Sequence, residues 1–259
     1  MKKIILLITS LSFLSPVYGS ETFRCSKFTP EEYRLEKPSA CDDTVIWRYD
    51  LPELRKKDPN LFEKQVSDNV RETSNMGGAK FRFPSGREKS VYRSSFMAGK
   101  KECLSRLVND NRVLSIFSYY SGSLKESSKT LSDEERRTFA DLGGKFYHQP
   151  LNYEDDFKKS SKEGVFEKVT EIIKAIDHAP GNVLIHCYGG INRTGVLFGV
   201  MQKCLNKIPI EDVLNEYKCH TGWESEERVG GYEIDNEIAI REYPCEKLYS
   251  PATQGEAAK

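Results

Sequence analysis

The sequence predicts an α/β fold, in which a central mixed, largely parallel sheet is flanked by helices. From about residue 90 onward, short apolar runs alternate with segments of helical periodicity, a pattern typical of strands joined by helices. One run, Asn182–His186 (NVLIH), is apolar on both faces, as a strand buried inside such a sheet requires. The composition, with 38% hydrophobic and 30% charged residues, is that of a folded globular chain.

The first half of this region contains two predicted strands and one predicted helix before a loop. Ser90–Arg93 is predicted as a strand, Lys100–Asn109 has the apolar spacing of a helix, and Arg112–Ser118 is an apolar strand. The polar stretch Ser121–Thr130 is predicted as a loop. Ser132–Glu135 (SDEE) then has the form of a capping box, which predicts the start of a helix at this serine.

The second half continues the alternation. Gly143-Gly144 is predicted to end the preceding helix, and Lys145–Leu151 is predicted as a strand. Five apolar residues then share one face of a predicted helix: Val165, Val169, Ile172, Ile173 and Ile176. Asn182–His186 is the next strand, a helix starts at Thr194, and Pro209 opens a further helix.

The N-terminus has the pattern of a secretory signal peptide. Lys2-Lys3 is a charged start, Ile4–Leu14 is an apolar run, and Val17–Gly19 offers small residues at the two positions that signal peptidase reads. The alternative is a membrane anchor, but a spanning helix needs about 20 apolar residues and Pro16 ends this run. We therefore expect residues 1–19 to be removed, leaving an exported bacterial protein, periplasmic or secreted, with no stable membrane anchor.

The charge balance restricts the class of partner. The chain has 39 basic and 39 acidic residues, and loss of the signal removes two lysines and no acid, so the mature chain carries a formal charge of −2. A sequence-wide basic surface is absent, and we expect no nucleic-acid partner. We divide the mature chain into an N-terminal extension of unknown role (residues 20–75) packed on or near the core, a main domain (76–249) and a flexible tail (250–259).

Seven cysteines in an exported protein suggest up to three disulfides and one free thiol. The plausible pairs nearest in sequence are Cys25 with Cys41 and Cys219 with Cys245. The connectivity does not follow from the sequence, and buried free thiols are an equal alternative. The sequence has no C-x-x-C pair and no H-E-x-x-H motif, so we predict neither a metal site nor a cofactor.

The most informative stretch is Val183–Gly195, in which a strand leads to Cys187, a loop with two glycines follows, and Arg193 opens a helix. Backbone N–H groups in such a loop form a concave site for an oxyanion, and the helix N-terminus adds partial positive charge. Arg193 offers two parallel donors to phosphate oxygens. The predicted phosphate-binding loop consists of Tyr188, Gly189, Gly190, Ile191, Asn192 and Arg193.

Cys187 is the candidate nucleophile. A helix N-terminus and nearby cations lower the pKa of a thiol from about 8.5 to roughly 3.5–7.5, which produces a reactive thiolate. None of the other six cysteines is followed six residues later by an arginine. Thr194 can donate its hydroxyl to the sulfur when the sulfur leaves. The alternative, an inert buried cysteine on a strand–helix turn, fits the combination of strand, loop, arginine and helix less well.

This stretch resembles the signature H-C-x-x-G-x-x-R-T-G of the cysteine-dependent, protein-tyrosine-phosphatase-like superfamily. The matching residues are His186, Cys187, Gly190, Arg193, Thr194 and Gly195. Val91–Ser94 is similar to the Y-R-S element of bacterial members, Glu216-Tyr217 and Thr221-Gly222 are similar to later elements, and the likeness covers roughly residues 80–225. The resemblance implies a phosphatase fold, a phosphocysteine intermediate without a cofactor, and a histidine, His186, that orients the loop and tunes Cys187.

The resemblance also implies a general acid, usually an aspartate on a loop about 30 residues before the cysteine. Asp155 and Asp156 lie 32 and 31 residues before Cys187, between a predicted strand and a predicted long helix. The W-P-D form of that loop is absent, so Asp155, Asp156 and Glu154 all remain candidates, and we prefer Asp155. The alternative role for either aspartate is a solvated loop position or a helix cap.

Basic residues crowd two of the matched regions, and they suit a polyanionic substrate if they face the pocket. They are Lys80, Arg82, Arg87, Lys89 and Arg93, followed by Lys158, Lys159 and Lys162. We predict Arg82, Arg93, Lys158 and Lys159 as substrate contacts; the alternative is ordinary solvated charge. Secreted members with these features resemble the phosphatase-like phytases, which implies a small polyanionic phosphoester substrate, an inositol polyphosphate such as phytate.

Three other functions are kept as alternatives. A secreted protein tyrosine or dual-specificity phosphatase is the first. A phosphate-binding module without activity is the second, although binding alone needs no thiolate. A sulfurtransferase also uses a cysteine loop, but it has no use for an upstream acid.

Overall fold

The computed structural model describes residues 21–44, 54, 56–120, 126–149, 151, 162–222 and 231–250. A five-stranded sheet forms its centre, with strand order β1-β2-β5-β3-β4. The strands are β1 (Gly77–Arg82), β2 (Glu88–Ser94), β3 (Val113–Ser118), β4 (Lys145–His148) and β5 (Asn182–His186). β1 runs antiparallel to β2, and all other neighbours are parallel. The predicted mixed, largely parallel sheet is therefore confirmed.

Seven α-helices lie in the described parts of the chain. They are α1 (Pro59–Glu72), α2 (Lys101–Asn109), α3 (Glu126–Asp141), α4 (Lys162–His178), α5 (Asn192–Cys204), α6 (Ile210–Thr221) and α7 (Gly231–Glu242). Within these parts, none of the helices is both long enough and apolar enough to cross a membrane.

The helices cover both faces of the sheet, and β5 shows this most clearly. Val183 and Ile185 are buried in one core with α4, α5, α6 and α7, whereas Leu184 is buried in a second core with α2 and α3. Successive side chains of a strand point to opposite faces, so a strand that lies between two helical layers must be apolar throughout. The run Asn182–His186 has this composition, and the predicted strand and the observed one coincide.

The start of α3 corrects two sequence predictions. Glu126–Thr130, predicted as part of a loop, is helical, and Ser132 lies inside the helix rather than at its first turn. The physical reason is that Leu131 and Glu135 are one helical turn apart and both are completely buried. Glu135 is therefore directed into the core and does not take part in a capping box. The helix ends as predicted before Gly143, whose φ is +81°.

The N-terminal extension contacts the main domain closely where it is described. Its first part contains two short 3-10 turns, Arg24–Phe28 and Glu31–Tyr33, and Arg34 forms an isolated bridge with Ala79 of β1. Phe23 and Leu35 are buried in the core that also contains Leu184. Later in the extension, Asp58 caps α1 by accepting from two backbone N–H groups of the first turn.

The three disulfides overturn both predicted pairs. The bonded pairs are Cys25–Cys219, Cys41–Cys103 and Cys204–Cys245. Their sequence separations of 194, 62 and 41 residues show why proximity along the chain was a poor guide. Two of the bonds join the N-terminal extension to the main domain, one on α6 and one on α2. Cys187 is the free cysteine, which confirms the expectation of one free thiol.

Candidate active site

Cys187 lies at the edge of the sheet where the parallel strands end. The last residue of β5, His186, pairs with Ser94 at the end of β2 and with Ser118 at the end of β3. Chain segments that follow neighbouring parallel strands meet at this edge, which is where ligand sites form in open α/β sheets. The loop after Cys187 is short, because α5 already begins at Asn192.

Gly190 allows this loop to lie close to the end of β2. Its φ is +69°, in the left-handed region, and a Cβ atom here would lie 2.4 Å from the carbonyl oxygen of Ser94. Residues with a side chain cannot meet both conditions. Gly189 has no such restriction, because a Cβ there would meet only the side chain of Ile191 at 3.5 Å.

Four successive carbonyl oxygens of the loop are held by donors outside it. Cys187 O contacts His186 Nδ1 at 3.0 Å, and Tyr188 O accepts from the backbone of Phe96 at 3.2 Å. Gly189 O accepts from Asn75 Nδ2 at 3.0 Å, and Gly190 O accepts from Arg93 Nη2 at 2.6 Å. In a planar trans peptide the N–H points opposite to the C=O. The N–H groups of the loop therefore point inward, as an oxyanion site requires.

The thiol of Cys187 is buried, with 4% of the residue exposed. Burial by itself raises the pKa of a thiol, but here the Arg193 guanidinium, the hydroxyl and N–H of Thr194 and the nearby His186 outweigh it. The pKa of Cys187 is therefore lowered from its ordinary value, and the thiolate forms more readily than in water.

Arg193 stands in the first turn of α5, beside the sulfur. Its guanidinium lies 5.9 Å from the centre of the Tyr120 ring. Within the described parts of the chain, its buried Nε has no hydrogen-bond partner. A fixed guanidinium with an uncommitted donor next to inward N–H groups is suited to a tetrahedral oxyanion.

Arg93 was predicted as a substrate contact, but it is buried behind the phosphate-binding loop and supports it. Only 1% of the residue is exposed, and its guanidinium donates to the carbonyl of Gly190. Burial lowers its pKa to about 10, and the carboxylate of Glu216 opposes that effect. The prediction was wrong because a guanidinium enclosed under the loop cannot reach a substrate above it.

The position of Arg82 in the sheet also excludes it as a substrate contact. It pairs with Glu88 at the start of β2, whereas the loop lies beyond Ser94 at the other end of that strand. The strand is seven residues long from end to end, which places its two ends about 20 Å apart. The neighbouring Lys89 is buried and donates to the carbonyls of Ile176 and Ala179.

The candidate general acids Asp155, Asp156 and Glu154 lie outside the described residues, as do Lys158 and Lys159. Their predicted roles stay predictions. The last described residue before them, Leu151, donates from its backbone to Tyr119, which in turn donates to His186 O. Leu151 therefore lies at the same sheet edge that carries Cys187.

A buried polar network joins the N-terminal extension to the base of the site. Thr29 Oγ1 and Gln202 Nε2 both donate to Glu216 Oε2, and burial raises the pKa of Glu216. Glu216 lies close enough to Arg93 for the two charges to influence each other. The extension thus contributes to the support of the loop, a role that its sequence did not indicate.

Sequence reasoning missed Asn75 and Glu135 as parts of the site. Glu135 carried a signal, because it occupies a helical position between the apolar Leu131 and Phe139, four residues away on either side. A carboxylate among apolar positions on one face indicates a buried partner. Asn75 carried no comparable signal.

Comparisons with known proteins give structural likenesses only. A scan against protein-family models finds no match, and a search of curated proteins finds none either. Among solved structures, the core catalytic domain of PP-IP phosphatase SIW14 from S. cerevisiae is similar at 22% identity and a TM-score of 0.44, covering 61% of this chain and 84% of that chain. TpbA from P. aeruginosa is similar at 18% identity and a TM-score of 0.42, covering 61% and 83%.

A third similar structure is the kinase associated phosphatase KAP, solved with its catalytic-site cysteine replaced by serine. It matches at 13% identity and a TM-score of 0.41, covering 68% of this chain and 97% of that chain. At these TM-scores the likenesses do not establish a function, so the assignment below depends on the geometry of the loop.

Proposed function

We propose that this protein is an exported phosphomonoesterase that works through a phosphocysteine intermediate. The observation that carries the proposal is the surroundings of Cys187. This single free thiol has a lowered pKa and lies under a loop in which the four successive carbonyls of residues 187–190 are held by groups outside the loop. Arg193 at the start of α5 completes a site for a phosphate dianion.

In the first step the Cys187 thiolate attacks phosphorus, and the bond from phosphorus to the leaving oxygen breaks. The loop N–H groups and Arg193 hold the three other phosphate oxygens as charge develops on them. Asp155 protonates the leaving alkoxide or phenoxide, with Asp156 and Glu154 as alternatives for this role.

In the second step water attacks the phosphocysteine and releases inorganic phosphate. The carboxylate that served as acid now accepts the proton of the water. The sulfur leaves as a thiolate, stabilised by the Thr194 hydroxyl and by the same groups that lower the pKa of Cys187.

For the substrate we propose myo-inositol polyphosphates such as phytate. Arg82 and Arg93 no longer support this proposal. Its support is the cluster Lys158, Lys159 and Lys162, which follows the segment of the candidate acids in the sequence. Leu151, shortly before that segment in the sequence, lies at the edge that carries Cys187. Lysines this close in sequence to the candidate acids suit a substrate with several phosphates.

A second candidate, a secreted protein tyrosine or dual-specificity phosphatase, is favoured by a different observation. The rings of Tyr120 and Tyr188 are 5.6 Å apart, both are partly buried, and Arg193 lies against Tyr120. Aromatic side chains next to the phosphate-binding arginine suit a flat phenyl phosphate.

Phosphate release from inositol hexakisphosphate and from a phosphotyrosyl peptide tests both candidates, with Cys187→Ser as the blank. We expect release from the inositol phosphate and its loss in the variant. Release from the peptide alone would replace phytate by the second candidate. Phosphate release by Cys187→Ser would contradict the mechanism. Absence of phosphate release from both substrates by the wild-type protein would favour a phosphate-binding module without activity.

The proposal of export is supported by the three disulfides, since such bonds persist in oxidising compartments. Expression of the full chain in a bacterium, followed by fractionation and mass spectrometry, tests it. We expect a mature N-terminus near Ser20 in the periplasm or medium. An intact N-terminus in the cytoplasm would contradict export.

A further inference from the structure

We propose that Glu135 is a positioning residue of this active site, whose carboxylate keeps His186 as a buried imidazolium cation beside the Cys187 sulfur. The inference rests on the proposed function, because it explains how the nucleophile is prepared. It assigns a task to a residue on α3, far from the loop in sequence and outside the motif that identifies the site.

The contact between Glu135 and His186 is enclosed. Glu135 Oε2 lies 3.0 Å from His186 Nε2, and neither side chain has any exposed surface. The other carboxylate oxygen, Oε1, accepts from the backbone N–H of Met97 at 2.8 Å. The bond to Met97 orients the carboxylate so that its other oxygen faces the imidazole at ion-pair distance.

The two neighbours of the imidazole determine its protonation. His186 Nδ1 is 3.0 Å from the carbonyl oxygen of Cys187, and Nε2 faces the carboxylate of Glu135. The carbonyl can only accept a hydrogen bond, so Nδ1 carries a proton. An ionised carboxylate can likewise only accept, so with Glu135 ionised Nε2 carries a proton as well. An imidazole protonated on both nitrogens is a cation. The pKa of His186 agrees: burial lowers it, but Glu135 and Cys187 more than compensate, and it is raised.

The surroundings strengthen this charge. The ring of Phe96 lies 5.0 Å from the His186 ring and that of Phe146 lies 6.3 Å away. In such an apolar environment the attraction between two charges is much stronger than in water. Among the described residues, the other charged or titratable groups that act on the pair are Cys187, Lys100 and His148. Arg193 acts on Cys187.

A purely structural role would not need a carboxylate. The N–H of Met97 would be satisfied equally well by an amide oxygen, and a buried carboxylate carries a large desolvation cost. Its negative charge also acts on Lys100, but the group in direct contact with it is His186, whose positive charge it stabilises. That positive charge is in turn one of the groups that lower the pKa of Cys187.

The variant Glu135→Gln separates charge from shape. The amide oxygen can still accept from Met97, and the amide nitrogen can donate to Nε2 of a neutral His186. We expect the midpoint of the Cys187 thiolate titration to rise by about one pH unit. It is measured by far-ultraviolet thiolate absorbance as a difference from Cys187→Ser. Glu134→Gln is the matched control, because Glu134 lies next to it on α3 and pairs with Arg71.

An unchanged midpoint in folded Glu135→Gln, or an equal shift in Glu134→Gln, would overturn the proposal. Nitrogen NMR of histidine-labelled wild-type protein tests it even if the variant does not fold. At about pH 7, where an ordinary histidine with a pKa of about 6.5 is mostly neutral, we expect both nitrogens of His186 to be protonated, and a neutral ring would overturn the proposal. Neither measurement needs a substrate, so loss of the proposed phosphatase activity and failure of the role of Glu135 are distinguishable.

Discussion

The side-chain nitrogen of Asn75 lies 3.0 Å from the carbonyl oxygen of Gly189, although 114 residues separate the two in the sequence. The same nitrogen donates to the carbonyl of His220 at 3.1 Å, and the Asn75 side-chain oxygen contacts His220 Nδ1 at 3.0 Å. All polar atoms of this buried amide are committed. Asn75 thereby connects the phosphate-binding loop to α6.

We expect Asn75→Ala to weaken the binding of orthovanadate, an analogue of the transferring phosphoryl group. The substitution leaves the buried carbonyl of His220 and the partly buried carbonyl of Gly189 without this donor, at a cost of about 1–3 kcal/mol. It also releases Gly189 O from its outward position. An affinity loss of about tenfold follows if roughly 1.4 kcal/mol of this cost falls on the binding loop. Titration calorimetry measures it.

The control for this prediction is Asn109→Ala, which removes an exposed amide that, among the described residues, bonds only Ser105 on the same helix. We expect its vanadate affinity to equal that of the wild type. An unchanged affinity in folded Asn75→Ala would show that the loop keeps its shape without the amide.

The two glycines of the loop should respond oppositely to alanine. At Gly190 the left-handed backbone and the contact with Ser94 O both exclude a Cβ, so we expect Gly190→Ala to lose phosphate release. At Gly189 a Cβ has room, so we expect Gly189→Ala to retain it. Steady-state assays on both variants, with circular dichroism to verify folding, provide the test. Equal activities would contradict the loop geometry described above.

The Cys25–Cys219 disulfide should matter for the site as well as for stability, because Cys219 precedes His220. Its replacement by two alanines should lower the free energy of unfolding by about 2–4 kcal/mol and also weaken vanadate binding. Replacement of Cys204 and Cys245 should lower stability alone. Denaturant titrations and calorimetry on both double variants distinguish the two effects, and equal losses of vanadate affinity would refute the difference.

The buried His220 should make folding sensitive to acid. Burial, and secondarily Arg93, holds its pKa well below the ordinary value. Below about pH 6.5 the unfolded chain binds a proton that the folded His220 does not. The linked stability therefore falls by up to about 1.4 kcal/mol per pH unit until the folded pKa is reached. The pKa of His186 is raised, so its own contribution changes mainly above this range.

Denaturant unfolding between about pH 5 and 6.5 checks this prediction. We expect His220→Gln to be less stable than the wild type near neutral pH but to lose less stability on acidification. His178→Gln, at the exposed end of α4, should keep the slope of the wild type. A parallel pH dependence in wild type and His220→Gln would contradict the assignment.

The elements that the sequence predicted best are those with a strong local pattern. β5 coincides with its predicted bounds, because a strand buried on two faces must be apolar at every position. The predicted start of α3 was wrong. SDEE has the sequence of a capping box, but Glu135 is buried in contact with His186 and does not take part in a cap. A four-residue motif carries no information about His186, a tertiary partner that lies 51 residues further along the chain.

Contiguous residues encode the α/β class, the order of most elements, the free cysteine and the loop from Cys187 to Arg193, so these features were predictable from the sequence alone. Other features emerge only when the chain folds: the disulfide pairing, the burial of Arg93, the distance of Arg82 from the loop and the support from Asn75 and Glu135. These features depend on which distant segments meet at the end of β2 and β5. Strand order and register decide those contacts, and neither is contained in local periodicity or composition.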